Sequence, residues 1–196
     1  MTMARPTMPS QLPRQVPAHA TAQGDGIAVG DGAWTVDAYI DFLCPFCKLF
    51  EMTSGPLLGV LVAERLATVV YHPMGFLDNL STTRYSTRAA AASGCASDFD
   101  RFVEYSHQLF EHQPPEGGPG LSDAELVDLA HVVGISRIDF ATCDFGGRYL
   151  DWADYVTQTA LAVGISGTPS VFVEGIPVPA HPDTIAAAVQ AVAGVE

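Results

Sequence analysis

The distribution of apolar and polar positions divides the chain into β-rich ends and a helical middle. Gly26-Ile27-Ala28-Val29 is read as a short strand, and Gly30-Asp31-Gly32 as a turn able to supply positive φ. The apolar run that follows, Trp34–Phe42, predicts a longer strand. Leu49, Met52, Pro56, Leu57, Val60 and Leu61 fall near helical spacing, with a kink expected at Gly55-Pro56. Thr68–His72 reads as a buried strand ended by Pro73, so the order strand, helix, strand implies a parallel pair.

A long helical region comes next. Thr82–Ser93 is alanine-rich, and Phe99, Phe102, Val103, Leu109 and Phe110 mark a second amphipathic helix. Gln113–Gly120 holds three prolines and three glycines and is read as a loop. Ser122-Asp123-Ala124-Glu125 is a capping box, in which the serine and glutamate satisfy each other's free amides at a helix start. Ser136–Cys143 predicts a short helix, and Tyr149, Trp152, Ala153, Val156 and Ala160 form a stripe stopping near Gly164. The β pattern then returns: Ser170–Val173, a turn at Glu174-Gly175, and Ile176–Val178 make a hairpin. His181-Pro182-Asp183 opens a last helix through Ala193.

Composition narrows the classes of partner. With 196 residues and 48% apolar content, the chain suits one domain with a substantial core. Its 9 Lys+Arg against 22 Asp+Glu, a net charge of −13, argue against nucleic acid and anionic membrane surfaces. No stretch is read as a membrane span. Residues 1–24, with Pro6, Pro9, Pro13 and Pro17, are read as a disordered or extended tail. Met1–Gln15 has Arg5 and Arg14 but no apolar core, so no secretory signal is read. Either the protein stays in the cytoplasm or its leader is missing from this sequence.

The chemistry centres on Cys44-Pro45-Phe46-Cys47, where a strand hands over to a helix. Cysteines at i and i+3 can close a small disulfide ring. The helix N-terminus favours a thiolate at the first of them, and thiolates attack disulfides. Cys44 is therefore the candidate nucleophile and Cys47 the candidate resolving thiol. Pro45 occupies the first helical position, where its missing N–H is no loss. The competing readings are an inert structural pair or a metal site. The latter would require two further close ligands, and no histidine or cysteine cluster supplies them. No metal or organic cofactor is expected.

Tyr39–Lys48, spanning the C-x-x-C, and the downstream Gly164-Ile165-Ser166-Gly167-Thr168-Pro169-Ser170-Val171-Phe172-Val173 together resemble the DsbA-like branch of the thioredoxin superfamily. The likeness covers about Gly26 to Ala193, and the sequence is similar to actinobacterial members. It implies an α/β thioredoxin fold with a helical domain inserted between its βαβ and ββα halves. The divisions are then 1–24 tail, 25–80 first half, 81–164 insert and 165–196 second half. The resemblance also implies a cis-proline at Pro169 beside the C-x-x-C, the alternative being an ordinary trans proline opening a strand. Pro45, Phe46, Thr168 and Pro169 become the candidate substrate-binding set, pairing with an extended peptide. Cys95 and Cys143 are expected to form a second disulfide; the alternative is two buried thiols. A second disulfide points to an extracytoplasmic origin, against the missing signal.

The implied activity is protein thiol–disulfide exchange with protein or peptide substrates and a redox-recycling partner. Two other readings stand beside it: a thiol-fed reductase or isomerase on the same fold, and a redox-inactive peptide-binding or chaperone module. One departure concerns proton handling. Family members often keep a buried carboxylate six residues before the first cysteine, and here that position is Ala38. Asp41 is the nearest acid, with a capping or surface role as the alternative to helping the exchange. His72 either approaches the site or simply packs.

Overall fold

The structure is a computed structural model that describes Pro9 and residues 11–194. Expectations for Met1–Met8, Ser10, Val195 and Glu196 lie outside the described residues.

A single five-stranded sheet organises these residues. The strands are β1 (Ile27–Val29), β2 (Trp34–Ile40), β3 (Ala67–Pro73), β4 (Ser170–Val173) and β5 (Ile176–Val178), in the spatial order β1-β3-β2-β4-β5. The 19-residue helix α1 (Pro45–Ala63) returns the chain from β2 to β3, which pair in parallel from Trp34 opposite Ala67 to Ile40 opposite Pro73. The other pairings are antiparallel, and Tyr39 sits opposite Ser170 at the β2–β4 edge nearest the C-x-x-C.

Between β3 and β4 the chain forms a helical insert. It comprises α2 (Tyr85–Ser97), α3 (Phe102–Glu111), α4 (Asp123–Val132), α5 (Arg137–Asp144) and α6 (Leu150–Ala162). A last helix, α7 (Pro182–Ala193), follows β5 and packs against α1. This is a mixed α/β thioredoxin-like fold with an inserted helical subdomain.

Side-chain alternation decides how the sheet is covered. Val36, Ala38 and Ile40 on one face of β2 join Phe50, Leu58 and Leu61 of α1 and Ile185 and Val189 of α7. The same core runs without a break into the insert through Tyr85, Tyr105, Phe140 and Trp152. Tyr39, on the opposite face of β2, packs in a smaller cluster with Met74, Ala160 and Ile165. The capping box at α4 forms as its sequence predicts, with both Ser122 and Glu125 engaged. Cys95 of α2 and Cys143 of α5 are joined as a disulfide, with Cα atoms 5.9 Å apart.

One reading of the sequence is corrected by the fold. Residues 17–24 are not a detached tail. Pro17 is buried, Ala18 N–H donates to Asp98, Ser97 donates to Ala18 O, and the Trp152 indole N–H donates to Gly24 O at 2.8 Å. Gly94 permits this docking, because a Cβ there would lie 2.9 Å from Pro17 and 3.1 Å from Trp152. The proline-rich composition hid the segment because its backbone is held by the insert and not by its own periodicity.

Helix α1 runs continuously from Pro45 to Ala63 with Pro56 inside it. By length and composition alone α1 could cross a bilayer. The sequence reading passed over it because Lys48, Glu51 and several small residues break up its apolar run. In the fold Cys47, Phe50, Ser54, Leu58 and Leu61 line its buried face, so it serves as a core helix.

Candidate active site

Cys44 is the N-cap of α1, with extended backbone angles, and Pro45 opens the helix. The Cys47 and Lys48 amides close on the Cys44 carbonyl at 3.0 and 3.2 Å. This tight first turn tucks Cys47 inside, fully buried, while Cys44 keeps 4% of its surface exposed. Phe46 projects outward, 68% exposed. Both cysteines are free thiols.

The Thr168–Pro169 peptide bond is cis, and the Cys44 thiol donates to the Thr168 carbonyl at 3.3 Å. The two sequence motifs, more than a hundred residues apart, thus meet at one sulfur. Thr168 and Pro169 are half-buried and lead directly into β4.

Electrostatics separates the two thiols. The Cys47 thiol, pointing at Cys44, does most to lower the Cys44 pKa from 9.0 to about 6. Burial opposes this, while the Thr168 side chain and the Cys47 and Phe46 amides assist. Donation of the Cys44 proton to the Thr168 carbonyl favours the neutral thiol, but the groups facing the thiolate outweigh it. Cys47 moves the other way. Burial pushes its thiol well above the ordinary value, and its hydrogen bond with Cys44 and the Cys44 charge add to the rise.

Of the readings open for Asp41, burial rules out a surface role. It is fully buried at the end of β2, accepting from Leu43 N–H and Leu77 N–H, each at 2.8 Å. Its own amide faces the Cys47 sulfur at 3.4 Å. Burial raises its carboxyl from 3.8 to about 7, against the Leu43, Ser86 and Leu77 hydrogen-bonding groups, and the Cys44 charge adds to the rise. Ala38, where a carboxylate was looked for, lies in the apolar core.

His72 makes its contacts elsewhere. Its ring is stacked on Tyr39 at 4.2 Å and bonded to the Asp25 carbonyl and the Asp37 carboxylate. Gln113 was passed over in the proline- and glycine-rich loop. Its side-chain amide donates to both Phe42 O (2.9 Å) and Cys44 O (3.0 Å), tying the insert to the turn before α1. A lone glutamine in a loop carries no periodic signal, so only the fold reveals it. Among the described residues no group of three or more His, Cys, Asp or Glu side chains is arranged to hold a metal.

A family model described as thioredoxin matches residues 23–191. The chain belongs to the thioredoxin family. Its DsbA-like character rests on solved structures from Mycobacterium tuberculosis. It superposes on the reduced form of a disulfide bond oxidoreductase (DsbG) with a TM-score of 0.77 and 30% identity, covering 87% of this chain and 88% of that one. Reduced DsbA from the same organism gives 0.77 and 29%, covering 87% and 93%.

The chain is also 32% identical over 160 residues to the serine/threonine-protein kinase PknE of M. tuberculosis. That match takes in 76% of this chain but only 28% of the kinase's length. A C-x-x-C pair on a DsbA-like scaffold supports a thiol–disulfide redox site of an enzymatic kind.

Proposed function

We propose that this chain is a protein thiol–disulfide oxidoreductase of the DsbA type, with Cys44 as nucleophile and Cys47 as resolving thiol. The observation that carries the reading is the opposite displacement of the two thiols beside the cis Thr168–Pro169 bond. One sulfur is ready to leave or attack as a thiolate at neutral pH. Its neighbour holds its proton until a base takes it.

In the oxidising direction, a client thiolate attacks Cys44 Sγ of the Cys44–Cys47 disulfide. The client–Cys44 bond forms, the Cys44–Cys47 bond breaks, and Cys47 leaves with the electron pair. The Asp41 carboxyl, protonated below about pH 7 and borne by the residue whose amide faces the Cys47 sulfur, supplies the proton. A second client thiolate then attacks the client sulfur of the mixed disulfide, forming the client disulfide and releasing Cys44 as its stabilised thiolate. The client loses two electrons, the protein gains them, and a recycling partner must remove them. Running the same steps backwards, Asp41 takes the Cys47 proton.

Pro45 and Phe46 on one side and Thr168 and Pro169 on the other frame the Cys44 sulfur. An extended client segment laid against this loop by main-chain hydrogen bonds needs little sequence of its own. The Cys95–Cys143 disulfide and the resemblance to DsbA-type proteins support an oxidising, extracytoplasmic setting.

The test is trapping together with turnover. Cys47→Ser should accumulate client mixed disulfides and Cys44→Ser should accumulate far fewer. The unaltered protein should oxidise reduced ribonuclease. Failure to oxidise ribonuclease alongside rapid insulin reduction would reverse the direction of flow. Neither activity, with both thiols intact, would leave a peptide-binding module.

A further inference from the structure

A groove of about 830 Å³ runs beside α1, bounded by Met52 and Pro56 of that helix, Val103 and His107 of α3, and Val132 at the end of α4. Met52 is 68% and Val132 67% exposed, so the apolar lining faces water. A smaller depression, lined by Lys48, Met52 and Phe110 among others, lies between the groove and the start of α1. Phe46, Leu49 and Met52, spaced at i, i+3 and i+6, continue the apolar surface back to the C-x-x-C.

One polar group stands out in this lining. Glu51 is half-buried and has neither a hydrogen bond nor an ion pair among the described residues. Its carboxylate folds along the helix over Gly55, reaching 3.3 Å from where a Cβ would stand. Burial raises the Glu51 pKa, and the charge of His107 opposes the rise. Glu104 adds a second carboxylate to the groove, while the Lys48 ammonium is turned to the Glu111 carbonyl. An apolar channel holding an unpaired, partly desolvated carboxylate is complementary to an apolar segment bearing a cation.

We propose that this groove is a second client-binding site that takes an apolar polypeptide segment carrying a lysine or arginine, whose cation pairs with Glu51. The proposal deepens the oxidoreductase reading and rests on it. Geometry sets the spacing. At a rise of about 1.5 Å per residue, Glu51 and Gly55 lie about 10 and 16 Å along α1 from Cys44. An extended client covers that distance in about three to five residues. Clients would therefore be preferred when a basic-apolar cluster lies that far from their reactive cysteine.

The experiment uses synthetic peptides with one cysteine and either Leu-Lys-Leu or Leu-Glu-Leu centred four residues away, on either side. Their rates of reducing the oxidised protein are measured relative to glutathione. At least one Lys peptide should outpace its Glu counterpart by about fivefold or more, the scale of one partly screened ion pair. In Glu51→Gln that ratio should fall to about twofold or less. A ratio near one in the unaltered protein, or one unchanged in Glu51→Gln, would overturn the proposal.

Matching peptides with serine in place of cysteine report binding by fluorescence anisotropy without exchange. Loss of all exchange with retained Lys-selective, Glu51-dependent binding would sink the oxidoreductase reading while keeping the groove assignment. A dimer in solution that Glu51→Lys dissociates would assign the groove to a second copy and overturn the proposal.

Discussion

Asp41→Asn should make the protein's stability depend on pH in a way that isolates one buried carboxyl. In the reduced protein, Asp41 titrates near 7 in place of 3.8, because burial penalises its charge more than the facing amides relieve it. An acid with a raised pKa binds more protons folded than unfolded between those two values. Stability therefore falls as pH rises from about 4 to about 7 and levels off above.

The two-state proton-binding expression puts the loss from this one group at about 1 kcal/mol at about pH 4.5 and about 4 kcal/mol at about pH 7.5. Asn keeps the shape but cannot ionise. It also sets an amide N–H₂ against Leu77 N–H or Leu43 N–H, a fixed penalty of about 1–3 kcal/mol at every pH. The absolute difference between the proteins can have either sign, whereas its pH dependence has only one. Urea denaturation of both reduced proteins should show the variant gaining about 3 kcal/mol on the unaltered protein from about pH 4.5 to about pH 7.5. Titrations common to both proteins, including the raised Asp144, cancel in the difference. A difference flat to within about 0.5 kcal/mol would refute a neutral-range Asp41, and with it the proposed proton donor for Cys47.

Iodoacetamide labelling of the reduced protein should modify Cys44 first, with an apparent pKa near 6, and Cys47 only far more slowly; equal or reversed labelling would invalidate the assignment of roles. Replacing both Cys95 and Cys143 by alanine should remove about 4 kcal/mol by the chain-entropy relation for a separation of 48 residues, read by denaturation under non-reducing conditions. A Cys44 pKa near 6 instead of 9.0 stabilises the reduced state by about 1.4 kcal/mol at pH 7, equivalent to about 30 mV for the two-electron couple. Phe46 offers the thiolate no side-chain donor, so equilibration with glutathione should give a potential between about −270 and about −120 mV. A value at or below the lower figure would mark a reductant.

The sequence by itself determined the elements whose cause is local. Capping at Ser122 and Glu125, the hairpin turn at Glu174-Gly175, the helix start at Pro45 and the strands around them depend on nearest neighbours, and those neighbours are written in order. The two motifs also carried the family likeness, because a C-x-x-C at a strand–helix junction and a Thr-Pro before a strand are short patterns.

What only the tertiary structure decided depends on partners distant in the chain. Asp41 reads like a surface or capping residue until Leu77, 36 positions later, and the buried sulfur close over it. Gln113 becomes a brace for the active-site turn only because the insert folds back over Phe42 and Cys44. Residues 17–24, polar and proline-containing, acquire their order from Asp98 and Trp152, and Gly94 makes the room. In each case a desolvated polar group needs a partner, and no local pattern says which distant residue will supply it.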